Sequence, residues 1–528
     1  MYQAPLNPRK MPLWRGGLVL ALLLVAAVIG FYVAVLPNVK PDKPGIAAIL
    51  CLIFAAVLGG RSLWKVPNWY YIMVLVPALL MVPFIVIARA FGSVDMMALA
   101  FHTNFGIQGA TLAGLENEIL AAMLSMIIVI SSALFAANVL AMPRVVFGAV
   151  GAALLLSNPV VQFQARRILF PPPDSDLALH YVDKVTLTPT DPLPDVLIVY
   201  MEGTDRQYED AAIFGDAFAP INALKSDALT FTQVAQIAGT GWSVAGMVAS
   251  QCGVPALPKG LLDGRKMDAV ADFMPSVTCL GDLLLPLGYR AEYVVGSEKE
   301  FGGIDKFYRH HAITTLTGTD EIKRMVPQAE FDSAFVDWIL DDQMVFDVAR
   351  DRHAALIADD KPYALIVQTS GPHGKPGILS RRCVGDGVAQ NSKDVRELAR
   401  CTVDLSVSFI EELRQKQAVR GRPLRTMLLS DHLNHAGIEP GVSPDFAGFN
   451  TVLMIGGPMA GQVNDSPGAM VDVFPTFLEW AGLASPPVAA GIGRSLISGP
   501  PSLLAGRGLT VMDAMLSNDA ALADKIWE

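Results

Sequence analysis

The sequence predicts two modules: a multi-span α-helical membrane domain, followed by an α/β external domain built on a mostly parallel central sheet. Three observations predict this. Long apolar runs crowd the first 161 residues, short apolar runs alternate with helix-like segments after residue 190, and four of the five cysteines lie in that second part. Hydrophobic residues make up 52% of the 528 and charged residues only 17%. With a mean hydropathy of +0.41, the chain is too apolar for an ordinary soluble protein of its size.

The membrane domain is assigned to residues 1–161, with about five spans: Gly16 to Leu36, Gly45 to Gly60, Tyr70 to Ile87, Ile119 to Met142 and Val145 to Val161. Most approach the roughly 20 residues that cross a bilayer. Arg9, Lys10 and Arg15 precede the first run, Arg61 and Lys65 follow the second, and Arg144 separates the last two. With five spans all of these fall on one side, which the positive-inside rule makes cytoplasmic. Lys40, Lys43 and Arg89 fall on the other side, so the bias is moderate. An odd number of spans then puts the second module outside. The first run is long for a signal peptide and lacks a clear small-x-small cleavage site, which favours an uncleaved helix.

Cysteine usage agrees with that placement. Cys51 lies in a span, whereas Cys252, Cys279, Cys383 and Cys401 lie in the external module. An even number in an oxidising compartment suggests two disulfides. Three pairings are possible, and the sequence-local one, Cys252 with Cys279 and Cys383 with Cys401, is preferred. Four free buried thiols are the alternative. The net charge of −10 argues against nucleic acid as a partner.

Residues 162–190, which include Pro171 to Pro173, are expected to form an extended Pro-rich tether. The external domain, 191–528, then alternates strand-like runs such as "DVLIVY", "YALIVQTS" and "TMLLSD" with helix-like segments. This is the pattern of a parallel sheet covered on both faces, whose ligands bind beyond the carboxyl ends of the strands. "DVLIVY" runs out into Glu202, "YALIVQTS" into His373, and "TMLLS" into Asp431-His432. Such oxygen and nitrogen donors suit a divalent cation of the zinc, manganese or magnesium type.

The stretch "GTGWSVAGMVASQCG" (239–253) adds a hydroxyl at the start of a helix. Gly239 and Gly241 permit a tight, close-running backbone, and the free amides of a helix N-terminus favour phosphate. Ser243 there is a candidate nucleophile and metal ligand, and Thr240 has the same chemistry three residues earlier. The residues alone do not choose between them. Each feature has a plain alternative: Ser243 as a helix cap, Glu202 as a loop carboxylate, and His435, a candidate second-metal ligand or partner of a ligand, as a solvated histidine. His310 and His311 read as surface residues more readily than as anion contacts. Trp338 and Asp342 read as a packing residue and its polar neighbour.

Taken together these residues resemble the alkaline phosphatase and sulfatase superfamily. Within it they resemble the membrane-anchored transferases that include lipoteichoic acid synthases, phosphoethanolamine transferases and phosphoglycerol transferases. "GTGWSVAGMVASQCGVP" is the most specific part and looks very like the phosphoglycerol transferases of osmoregulated periplasmic glucans, whose cysteine pairs also fit. The resemblance implies an external domain of alkaline phosphatase/sulfatase type in the periplasm, anchored in the inner membrane. It implies that Glu202, Ser243, Asp431 and His432 hold the cation, most readily Mn2+, with Zn2+ or Mg2+ as alternatives. Ser243 is then the nucleophile, where relatives commonly have Thr, His373 contacts the substrate phosphate, and His435 is a weaker substrate-binding candidate. The implied reaction transfers phosphoglycerol from phosphatidylglycerol, in the bilayer, to a glucan. Transfer of phosphoethanolamine, or transfer to a lipid acceptor, keeps the same site. A non-catalytic lipid sensor is the rival of another class. The sulfatase signature Cys-x-Pro-x-Arg is absent, since Gly253, Val254 and Pro255 follow Cys252.

Overall fold

The computed structural model describes Trp69 and residues 71–528, apart from 93, 106–114, 139–143, 259–271, 337, 374–376, 386–391, 393, 436 and 518. The two expected spans before residue 61 lie outside the described residues. The chain divides into two compact units, 1–94 with 114–171 and 95–113 with 172–528. The second segment of that division differs from the single boundary expected after residue 161. A helix that falls between two apolar runs in the sequence belongs to the larger unit.

In the smaller unit, helix α1 (Val76–Phe91) continues a short π-helical turn. In the larger unit lies α2 (Met96–Phe105), and the smaller unit resumes with α3 (Glu116–Asn138), α4 (Arg144–Ser157) and α5 (Pro159–Leu169). Among the described residues two stretches, Ile72–Phe91 and Glu116–Ala133, are long and apolar enough to cross a membrane. The expected fifth span does not run straight through to Val161, because α4 and α5 meet at 78°. Asn158 makes this corner: its Oδ1 accepts from Val160 N–H at 3.0 Å, while its amide donates to the Leu80 carbonyl at 3.4 Å. Pro159 at the first helical position has no N–H to lose there. The first part of the expected extended tether is therefore helical. No residue of α5 is buried, and it carries Arg166 and Arg167 in its last turn.

The larger unit is built on an eight-stranded sheet. In chain order its strands are β1 (Asp195–Met201), β2 (Ala228–Phe231), β3 (Arg290–Val295), β4 (Thr315–Thr317), β5 (Tyr363–Gln368), β6 (Leu424–Ser430), β7 (Val452–Ile455) and β8 (Val463–Asn464). They lie side by side as β8-β2-β7-β6-β1-β5-β3-β4. β1 pairs in parallel with both β5 and β6, and β3 in parallel with β5 and β4. Only β7 runs against its neighbours. Every residue of β1 is buried, which explains its unbroken apolar sequence: Val196, Ile198 and Tyr200 pack in one core and Leu197, Val199 and Met201 in another.

Helices α6 (Ser243–Cys252), α7 (Asp342–Leu356), α8 (Val395–Gln417) and α9 (Met470–Trp480) fill those cores, α6 and α9 in the first and α7 and α8 in the second. Cys252 is bonded to Cys279 and Cys383 to Cys401. The first bond anchors the end of α6, the second ties a short turn to α8.

Candidate active site and metal centre

The carboxyl ends of the central parallel strands supply the site. In register, Met201 pairs with Ser430 and Tyr200 with Gln368, so the next residues of β1 and β6, Glu202 and Asp431, emerge side by side. Glu202 N–H donates to Thr369 Oγ1 at 3.0 Å. Asp431 Oδ1 accepts from the N–H groups of Gly203 and His432, each at 2.9 Å. The turns after three strands are thus tied to one another.

Ser243 opens α6, with its Oγ donating to Glu202 Oε2 at 3.2 Å. Thr240 is turned into its own loop: its fully buried hydroxyl donates to the Ile237 carbonyl at 2.8 Å and accepts from Ile237 N–H at 3.0 Å. Gly239, with φ +80°, makes the turn before it. The approach of α6 depends on Gly246, where an added Cβ would lie 1.8 Å from the Asp431 carbonyl oxygen. Gly246→Ala is therefore expected to push α6 off the end of β6 and to cost roughly 1–3 kcal/mol of stability, seen as a lower unfolding temperature in near-UV circular dichroism.

His432 and Glu202 face each other. His432 Nδ1 lies 2.8 Å from the Leu433 carbonyl, which can only accept, so Nδ1 carries a proton and Nε2 is left with a lone pair when the ring is neutral. That Nε2 is 3.0 Å from Glu202 Oε1, and both atoms are buried without a hydrogen-bond partner. Two opposed lone pairs in a buried place need a positive charge between them. Burial opposes the charged form of His432, but the Asp431 and Glu202 carboxylates outweigh it and raise the imidazole to about 10. Burial likewise opposes the charge on Glu202, yet the His432 and His373 imidazoles hold it below the ordinary range. Asp431 is pushed up to about 7 by burial and by Glu202. The carboxylates thus compete for one counter-charge, and a divalent cation suits this donor set. Glu202, His432 and His435 have ligand atoms within 4.8 Å of one another. His435, which the sequence suggested as a second-metal ligand or partner of a ligand and more weakly for substrate, has its ring 4.2 Å from that of His432. Burial first, and then His432, drives it well below the ordinary imidazole value, so it is a neutral donor.

His373 lines the same pocket as Ser243 and Glu202, together with Ser297, Phe301, Trp338 and Ser370. Its loop is held by Asp342, whose carboxylate accepts from the N–H groups of Ser370 (2.6 Å) and Gly371 (3.3 Å) and from Thr402 Oγ1 (2.7 Å). Asp342 thus positions the loop, and Trp338 stands edge-on to His373 with centroids 5.6 Å apart. His310 and His311 are elsewhere: His311 is buried against Asp282 at 2.8 Å, and His310 lies near Asp272. Cys279, beside His311 and Asp282, is committed to its disulfide.

Sequence reasoning missed three contributors. Asp205 accepts from Asn434 N–H at 2.8 Å and from Gln207, holding the loop of His432 and His435; burial raises it to about 6. His102 of α2 lies 6.1 Å, ring to ring, from both Trp242 and Phe301, and burial lowers it to about 4. Gln368 donates to Glu202 Oε2 and Asp431 Oδ2. An Asn-Asp pairing across two hundred residues, or a glutamine inside a strand, has no sequence signature.

Comparison with known proteins adds relatives to this geometry. No family model matches the chain. The phosphoglycerol transferase I of Salmonella arizonae is 29% identical over 262 residues, 49% of this chain and 33% of that protein. The phosphoglycerol transferase I of Escherichia coli is 33% identical over 210 residues, 40% of this chain and 27% of that protein. Over these segments the chain is similar to the phosphoglycerol transferases I. It spans about a third of their length. Among solved structures, the lipooligosaccharide phosphoethanolamine transferase A of Neisseria meningitidis aligns over 88% of this chain and 94% of its own, with 14% identity and a TM-score of 0.49. An alkaline phosphatase superfamily protein of Vibrio parahaemolyticus aligns over 64% of this chain and 78% of its own, with 18% identity and a TM-score of 0.48. The resemblance read from "GTGWSVAGMVASQCGVP" thus agrees with the relatives found over the longer matches.

Proposed function

We propose that this protein is a metal-dependent transferase of the inner membrane, with its α/β domain in the periplasm, that moves phosphoglycerol from phosphatidylglycerol to a sugar hydroxyl of a periplasmic glucan. The observation that carries the reading is the Ser243 hydroxyl, 3.2 Å from a Glu202 whose other oxygen confronts the orphaned Nε2 of His432. The names of the related transferases support the headgroup. Two disulfides in the larger unit suit an oxidising compartment.

Glu202, Asp431, His432 and Ser243 would hold the divalent cation, with His435 beside them. When bound, that cation supplies Lewis acidity that lowers the pKa of the serine hydroxyl and offsets charge on phosphoryl oxygens. Ser243 Oγ, its proton directed at Glu202, attacks the phosphorus of the lipid. The bond from phosphorus to the diacylglycerol oxygen breaks, and that oxygen leaves with a proton from His373. A phosphoglyceryl-serine forms. In the second half an acceptor hydroxyl gives its proton to His373 and attacks the same phosphorus, the Ser243 Oγ–P bond breaks as Oγ takes its proton back from Glu202, and the product departs. The first-turn amides of α6 face the phosphoryl oxygens and add hydrogen bonds as charge builds. Membrane spans beside the lipid raise its effective concentration at the site.

The test uses the full chain in mixed micelles containing phosphatidylglycerol labelled in the headgroup glycerol, with Mn2+ and an oligoglucan. Diacylglycerol is expected to appear and label to enter the sugar fraction, both stopped by chelation and restored by added Mn2+. Diacylglycerol released from phosphatidylethanolamine instead, or label entering lipid, would refute the stated donor or acceptor.

A further inference from the structure

Gln368 ends β5 and is buried among the candidate ligands, yet it is not one of them. Its neighbour on β3 is Tyr293. Because Tyr293 pairs with Ile366 and Val295 with Gln368, the two side chains lie diagonally on one face of the sheet. Tyr293 Oη donates to Gln368 Oε1 at 2.5 Å. Burial holds that phenol well above its ordinary pKa, so it keeps its proton and requires an acceptor.

This bond decides which way the amide faces. With Oε1 taken by the phenol, Nε2 points at the carboxylates, 3.3 Å from Glu202 Oε2 and 3.3 Å from Asp431 Oδ2. A flipped amide would set its oxygen against two carboxylates, and its NH2 would donate to the phenol and leave the Tyr293 proton without its acceptor. The contact is shared between β1 and β6, whose carboxylates repel one another. Asp431 Oδ1 is already fixed by two backbone N–H groups, and Glu202 Oε1 faces His432. Gln368 therefore holds the other oxygen of each, sharing Glu202 Oε2 with Ser243.

We propose that Gln368, fixed in orientation by Tyr293, is a positioning residue that aligns the Glu202 and Asp431 carboxylates for a divalent cation. The proposal rests on the metal-dependent reading of the same site. Partners of metal ligands commonly change metal affinity by about 10- to 100-fold when removed.

Full-length protein in detergent, stripped of metal, is titrated with Mn2+ while electron paramagnetic resonance reads the free ion. Gln368→Met removes the amide at nearly constant volume, and Tyr293→Phe removes a single hydroxyl. Mn2+ affinity is expected to fall by roughly 10-fold or more in Gln368→Met, and by a smaller factor in Tyr293→Phe. The double variant should bind no more weakly than Gln368→Met, since Tyr293 acts through Gln368. Wild-type affinity in either single variant, or additive losses in the double, overturns the proposal. Should Gln368→Met fail to fold, Tyr293→Phe decides alone. Failure of the wild-type protein to bind Mn2+ overturns the metal reading and this proposal together, whereas unchanged variants beside a binding wild type overturn this proposal only.

Discussion

Ser243→Ala is expected to reduce phosphoglycerol transfer by about 10⁴-fold or more while leaving Mn2+ bound, though more weakly. Losing a nucleophile that forms a covalent intermediate removes the low-barrier route and leaves only binding and electrostatic stabilisation. Thr240→Ala is the internal control. Its hydroxyl is spent on both backbone groups of Ile237, so its loss is expected to cost stability, on the order of 1–3 kcal/mol for buried groups left unpaired, with activity at permissive temperature within several-fold of wild type. Rates of diacylglycerol release from the two variants, at matched metal occupancy, check this. A cell that loses glucan modification with Ser243→Ala also excludes the lipid-sensor reading, because a sensor keeps its phenotype without the nucleophile.

Glu202→Gln has the second largest expected effect, and its sign follows from the His432 geometry. The substitution keeps the shape but removes one negative charge from a buried cluster in which His432 Nε2 faces the carboxylate at 3.0 Å. The variant is then expected to be less stable than metal-free wild type, whose Glu202 carboxylate pairs with a charged His432, and to bind Mn2+ roughly 10²–10⁴-fold more weakly, as for a buried charge deprived of its partner at about 3–5 kcal/mol. Thermal unfolding with and without Mn2+ tests both halves: the metal should raise the midpoint of the wild type and leave that of Glu202→Gln nearly unmoved.

Much of the larger unit was legible because parallel strands covered on both faces read as short unbroken apolar runs. β1, β5 and β6 were visible for that reason, and the residues just past them, Glu202, Asp431 and His432, meet as the strand register requires. Direction within a loop was not legible. Thr240 and Ser243 share a hydroxyl and a glycine-rich setting, and only the fold turns one into its own backbone and the other toward Glu202. The corner at Asn158 was signalled by Ser157-Asn158-Pro159, a helix-start pattern, but the apolar runs on both sides of it carried the expected span past the point where α4 turns into α5. α2 was hidden for the opposite reason: His102 reaches Trp242 and Phe301 from a stretch whose neighbours in sequence are apolar helices. Gln368 looked like an interior strand residue, since nothing in "YALIVQTS" announces that Tyr293 will orient its amide.

In the proposed reaction Ser243 takes phosphoglycerol from the lipid. The most direct measurement is mass spectrometry of the peptide spanning Thr240 and Ser243 after the detergent-solubilised protein is incubated with phosphatidylglycerol and Mn2+ and quenched in acid. The account predicts a phosphoglyceryl adduct on Ser243, absent after chelation and lost when an acceptor glucan is added before the quench. An adduct on Thr240, or a Ser243 that stays unmodified while diacylglycerol accumulates in stoichiometric amounts, would contradict it.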